Sequence, residues 1–153
     1  MSDHVATIAW ERGEQPFIDN RYSRAHRWRF DGGAEVLGSS SPSNVRPPFS
    51  DPAGVDPEEA FVASLSSCHM LWFLFFAAKA KHLVDRYEDE AIGTLGKNEK
   101  GQTAFTKVTL RPQVTLAGGA TIAPDELERL HHEAHANCFI ANSVTAHLVV
   151  EPR

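Results

Sequence analysis

The sequence predicts an α+β fold, with antiparallel sheets packed on a long buried central helix and a second, shorter helix. Three observations carry that prediction. Asp56-Pro57-Glu58-Glu59 reads as a helix start and leads into the apolar run Met70–Ala78. Short segments on either side alternate apolar and polar residues, the period of a half-buried strand. The order of elements is strands, long helix, strands, helix, strand, which suits helices laid on antiparallel sheets.

The elements follow in order. Ala6, Ile8 and Trp10 alternate with Thr7 and Ala9, so Val5 to Trp10 is a first strand. Arg12 to Asn20 holds Gly13, Pro16 and Asn20 and reads as loop. From Arg24 to Phe30, Trp28 and Phe30 share one face and Arg27 and Arg29 the other. Asp31-Gly32-Gly33 is a hairpin turn, and Ala34 to Gly38 returns as the partner strand. Ser39 to Val55 carries Pro42, Pro47, Pro48 and Pro52, which oppose both helix and sheet. A loop of that length is a functional segment in its own right.

The central helix is predicted from Pro57 to about His82. Asp56 suits the cap, Pro57 the first turn, and Asp56 with Glu59 a capping box. Its middle is apolar on every face, which predicts burial all round. Tyr87-Glu88-Asp89-Glu90 reads as an acidic, exposed stretch, and Ala91 to Leu95 as a short strand. Lys97 to Gln102 is a polar turn, and Thr103 to Leu116 one long strand with Val108, Leu110, Pro112 and Val114 on one face. Gly118-Gly119 ends it. Pro124 opens the second helix, with Leu127, Leu130 and Ala134 on its apolar stripe, and Ala146 to Val150 is the last strand.

Length and composition narrow the class. The 153 residues are read as one domain, 1–153, with 42% hydrophobic and 23% charged residues. A net charge of −5 without a basic cluster argues against nucleic acid as a partner. Met1-Ser2-Asp3-His4 lacks the pattern of a signal peptide, and the apolar run falls short of the roughly 20 residues that span a bilayer. A cytoplasmic protein with no membrane association is expected, and in that compartment its two cysteines are reduced or catalytic rather than a structural staple.

Cys68 sits where Ser64, Ser66, Ser67 and His69 interrupt the apolar helix, a polar notch facing an aromatic wall of Phe61, Trp72, Phe73 and Phe76. Such a notch suits a thiolate meeting an apolar substrate, and packing is the plain alternative. Cys138 follows the second helix. Spacing alone does not bring the two within disulfide reach. His131, His135 and Cys138 share a helix face and form a rival set for zinc, but no fourth ligand is evident. No metal and no cofactor are therefore expected.

Pro57-Glu58-Glu59-Ala60-Phe61 leading to Ser66-Ser67-Cys68-His69, with Cys138 far downstream, resembles the OsmC/Ohr family of osmotically inducible and organic-hydroperoxide-resistance proteins. The resemblance covers about Ala6 to Val150. It implies an OsmC-like fold in an intertwined homodimer. It also implies a thiol-dependent peroxidase active in oxidative-stress defence. Cys68 would attack an organic hydroperoxide and become a sulfenic acid. Cys138 would resolve it as an intramolecular disulfide, and a dithiol reductant, lipoyl in type, would reopen that bond. Glu58 would orient an arginine that holds Cys68 as thiolate. Arg24 occupies the position of one branch of the family and is preferred to Arg46, which stands nearer the position of the other and precedes two prolines. The chain departs from many relatives at Phe139, which follows Cys138 where they have proline. The different-class alternative is a stress or apolar-ligand-binding protein with little peroxidase activity, in which Cys68 is packing.

Helix geometry adds a constraint. Glu58 and Cys68 on one unbroken helix lie about 15 Å apart and on different faces. Either the helix breaks near Ser64 to Ser67, or Glu58 of a second subunit completes the site. An all-round apolar helix also needs more cover than one small sheet supplies. Both points favour a dimer with the site at its interface.

Overall fold

The computed structural model describes residues 2–153. The chain divides into two compact units, one running to Ala60 and one spanning Phe61–Arg153.

In the first unit, β1 (Ala6–Ala9), β2 (His26–Phe30) and β3 (Glu35–Gly38) form an antiparallel sheet in that order, with Ile8 opposite Trp28 and Trp28 opposite Val36. Each strand is slightly shorter than the alternation predicts. The β2–β3 turn has Gly33 at φ +85°, a conformation glycine adopts without steric cost. The proline-rich loop after β3 is tied down. Ser39 N–H donates to Val55 O at 3.0 Å, Val55 N–H to Leu37 O at 2.9 Å, and the buried Ser39 hydroxyl accepts from Asp51 N–H at 2.9 Å.

Helix α1 (Pro57–Lys79) starts where the sequence predicts and ends one turn early. The capping box is complete. Glu59 N–H donates to Asp56 Oδ1 at 2.7 Å, and Asp56 N–H donates to Glu59 Oε2 at 3.1 Å.

The second unit holds the rest of α1 and β4 (Val84–Asp89), β5 (Ile92–Lys97), β6 (Thr103–Leu110), β7 (Pro112–Leu116), α2 (Pro124–Asn137) and β8 (His147–Val150). β4 pairs with β7, and β5, β6 and β8 form a second sheet in that order. β8 runs parallel to β6, while the other ladders are antiparallel as expected. The predicted strand Thr103–Leu116 is two strands. Arg111 leaves the ladder and its N–H donates to Asp89 Oδ1 at 2.6 Å, and Pro112, which has no N–H, starts the next strand.

The stretch Tyr87–Glu90 is also corrected. Most of it belongs to β4, Tyr87 packs on Phe73 at 5.5 Å between ring centres, and Asp89 accepts from Ser66 Oγ at 2.5 Å. Only Glu88 and Glu90 are exposed, because side chains alternate across the strand.

Two core clusters hold the second unit. Leu65 of α1 packs with Val108 and Leu110 of β6, and Phe73 and Ala77 of α1 pack with Leu130 and Ala134 of α2. Burial of α1 is therefore confined to the stripe Leu65, His69, Phe73 and Ala77. The expectation of burial all round does not hold within one chain, since Leu71 is 61% exposed and Phe75 55%. One small unit has enough apolar surface to cover one side of a helix, and the opposite side is left bare. Length and hydropathy alone would let α1 cross a membrane, but its buried stripe docks on strands and α2 of its own chain.

Candidate functional site

Cys68 projects from the middle of α1, half-buried, and Cys138 caps the C-terminus of α2, fully buried. The packing of α1 against α2 brings the two thiols close enough for Cys68 to perturb Cys138, and both are free. Burial pushes the Cys138 thiol up to about 11, and the neighbouring Cys68 acts in the same direction. Cys138 therefore keeps its proton near neutrality. Ala141 N–H donates to its sulfur at 3.4 Å, which fixes the thiol at the start of the segment after α2.

The helix break expected as one alternative near Ser64–Ser67 is not there. α1 is continuous through Ser64–Ser67, so Glu58 and Cys68 of one chain stand about 15 Å apart along it and do not meet.

Glu58 and Arg24 are brought together elsewhere. Within the first unit both line a cleft of about 520 Å³ whose apolar wall is Ile8, Trp10, Phe17 and Tyr22. The three rings pack on one another at 4.8 to 5.8 Å between centres. Glu58 does not pair with Arg24: its Oε1 accepts from Asn44 Nδ2 at 2.9 Å. Arg24 Cζ lies 3.9 Å from the centre of the Tyr22 ring, and its Nη1 donates to the carbonyls of Asn20 at 2.8 Å and Tyr22 at 2.5 Å. Arg46 is exposed and is not part of this cleft.

The histidines take a different arrangement from the zinc set. His131 Nδ1 is hydrogen-bonded to His69 Nε2 at 3.0 Å, across from α2 to α1. Among the described residues no group of three or more His, Cys, Asp or Glu converges as a metal site. Phe73 is corrected too. It is fully buried, stacked on His131 at 4.4 Å, and belongs to the core rather than to an approach to Cys68. Trp72 and Phe76 stay half-buried, and Trp72 meets the exposed Phe139 edge-on at 5.6 Å.

The sequence model of OsmC-like proteins matches residues 50–153. The chain belongs to the OsmC-like family. An OsmC-like protein of unknown function from Vibrio cholerae is 56% identical, with all of both chains covered and a TM-score of 0.97. The organic hydroperoxide resistance protein OhrB of Bacillus subtilis has the same fold at 17% identity, with 99% of this chain and 98% of that one covered and a TM-score of 0.69. An organic hydroperoxide resistance protein from Elizabethkingia anophelis, with thiocyanate bound, is alike at 18% identity, TM-score 0.70, covering 99% and 94%. No curated protein matches.

The family membership and the α+β architecture read from the sequence thus hold. Several residues around this OsmC-like chain's polar groups carried no sequence signal. Asn44 sits in a serine- and proline-rich loop with nothing to mark Glu58 as its partner. His26 and Trp28 looked like alternating strand residues, although Trp28 Nε1 donates to His26 Nε2 at 2.6 Å. Asp89 read as surface acid, yet it anchors Ser66, two residues from Cys68.

Proposed function

We propose that this protein is a cysteine-based, thiol-dependent peroxidase that reduces organic hydroperoxides. The observation that carries the reading is the pairing of the Cys68 and Cys138 thiols across α1 and α2. The names of the Bacillus and Elizabethkingia relatives support it as hydroperoxide resistance proteins.

Cys68 as thiolate attacks the terminal peroxide oxygen. The O–O bond breaks, the leaving alkoxide takes a proton to become the alcohol, and Cys68 becomes a sulfenic acid. The Cys138 sulfur then attacks the Cys68 sulfur, water leaves, and a disulfide forms. A dithiol reductant, lipoyl in type, returns two electrons and two protons by exchange. Arg24 supplies the positive charge that favours thiolate and polarises the peroxide, and Glu58 lines the same cleft beside it. Because Glu58 cannot reach Cys68 along its own helix, Glu58 of a second copy completes the site. The bare Leu71–Phe75 face of α1 supports that homodimer. A cytoplasmic setting suits the free thiols.

The test is mass spectrometry after one equivalent of cumene hydroperoxide, which should link Cys68 to Cys138. Undiminished peroxide consumption by Cys68→Ser with a lipoyl dithiol overturns the assignment. A second reading, an apolar-ligand-binding protein with little peroxidase activity, is favoured by the aromatic wall of the cleft. It is chosen if the thiols stay unlinked while a fatty acid saturates the cleft and quenches Trp10.

A further inference from the structure

We propose that His26 is a positioning residue for Arg24 and that Trp28 holds it in the one tautomer that can do so. The functional importance of Arg24 rests on the reading above, but the geometry stands without it.

An indole N–H donates and never accepts. Trp28 Nε1 lies 2.6 Å from His26 Nε2, so that nitrogen is the acceptor and carries no proton. The ring proton of neutral His26 is then on Nδ1, which lies 2.7 Å from Arg24 O and donates to it. The other backbone group of Arg24, its N–H, donates to Phe49 O at 2.9 Å. Both polar groups of the Arg24 backbone are thus fixed, one by the loop before α1 and one by His26. Fixing the backbone sets the root from which the guanidinium stacks on Tyr22.

Gly38 is a third, independent sign. It lies opposite His26 in the β2–β3 register. A Cβ there would fall 2.4 Å from Trp28 Nε1 and 2.6 Å from His26 Nε2. The strand facing the Trp28–His26 bond carries the one residue that leaves room for it. The chain Trp28 to His26 to Arg24 therefore links the sheet to the cleft through two directed hydrogen bonds.

Two substitutions separate those bonds. The amide nitrogen of asparagine stands where Nδ1 stands and can still donate to Arg24 O. The amide oxygen of glutamine reaches the Nε2 position and can still accept from Trp28. In NMR spectra of the full chain, the Tyr22 ring, 3.9 Å from Arg24 Cζ, should shift the Arg24 side-chain protons upfield. We expect H26N to keep that shift and H26Q to lose at least half of it, with the downfield Trp28 indole proton behaving the opposite way. Equal behaviour of the two variants, whether both keep or both lose the Arg24 shift, reduces His26 to packing and overturns the proposal. Trp28→Phe tests the lock alone: the His26 ring should change from the Nδ1–H tautomer to a mixture, and an unchanged tautomer overturns the role of Trp28. In peroxide assays H26Q should lose about tenfold in kcat/KM while H26N stays near the parent. If the Arg24 shift responds as expected and the peroxide rate does not, the positioning stands and the role of Arg24 in the reaction falls.

Discussion

His69 Nε2 lies 3.0 Å from His131 Nδ1, and the two rings stack with planes 7° apart between α1 and α2. Their outer nitrogens, His69 Nδ1 and His131 Nε2, are buried without a protein partner. Burial lowers each to about 4 from the ordinary 6.5. His135 adds to the effect at His69, His69 adds to it at His131, and Asp89 pulls His131 back up.

Stability should therefore fall in mild acid. The unfolded chain takes up protons below its histidine pKa and the folded chain does not, so stability rises with pH. This contribution is fully present above about pH 6.5 and is lost as pH falls from there towards about 4. We expect Tm to drop on the order of 10 °C between about pH 7.5 and 5. A doubly substituted His69→Leu, His131→Leu protein, with neither polar partner left to bury, should show a flatter profile. An equally steep profile would remove the pair as the cause.

The high pKa of Cys138 sets the pH dependence of disulfide closure. Its thiolate is scarce at neutrality, and each pH unit below about 11 adds roughly tenfold more of it. Rapid mixing with one equivalent of hydroperoxide should show disulfide closure, the second step, accelerating steeply to pH 9 or so. A second step independent of pH would mean that burial does not control Cys138.

Gly38→Ala should be costly and Gly32→Ala harmless. The first places a methyl 2.4 Å from Trp28 Nε1, while the second meets nothing within 4 Å and needs no positive φ. We expect a loss of about 1–3 kcal/mol in urea unfolding for Gly38→Ala, with altered Trp28 emission. Similar midpoints for both variants would contradict the close approach.

The exposed Leu71 and Phe75 lie one turn apart on the face of α1 opposite its buried stripe. Sedimentation of the parent should give twice the chain mass of 16.9 kDa, and Phe75→Glu should shift it towards monomer. If the parent sediments as a monomer, Glu58 of a second copy cannot complete the site.

The sequence made the start of α1 legible because capping is local. Asp56 reaches three residues ahead and Glu59 three residues back, so both bonds are written in four consecutive letters. Both cysteines were visible as chemistry for the same reason, each beside a change from polar to apolar residues. The hidden split at Arg111 was readable in part, since Pro112 has no N–H to lend a ladder, but the long apolar alternation masked it.

What the sequence by itself determined is the family, the two helices with most of the strands around them, and which residues are chemically able to act. Tertiary structure decided which of them meet. α1 is apolar on every side, so nothing in its pattern says that Leu65, His69, Phe73 and Ala77 face inward and Leu71 and Phe75 do not. The docking of β6 and α2 chose that stripe, and α2 in docking brought Cys138 to Cys68 and His131 to His69. Hydrogen bonds within a turn are encoded by neighbours in the chain. Contacts between distant segments depend on how whole surfaces fit, and no short stretch of sequence carries that.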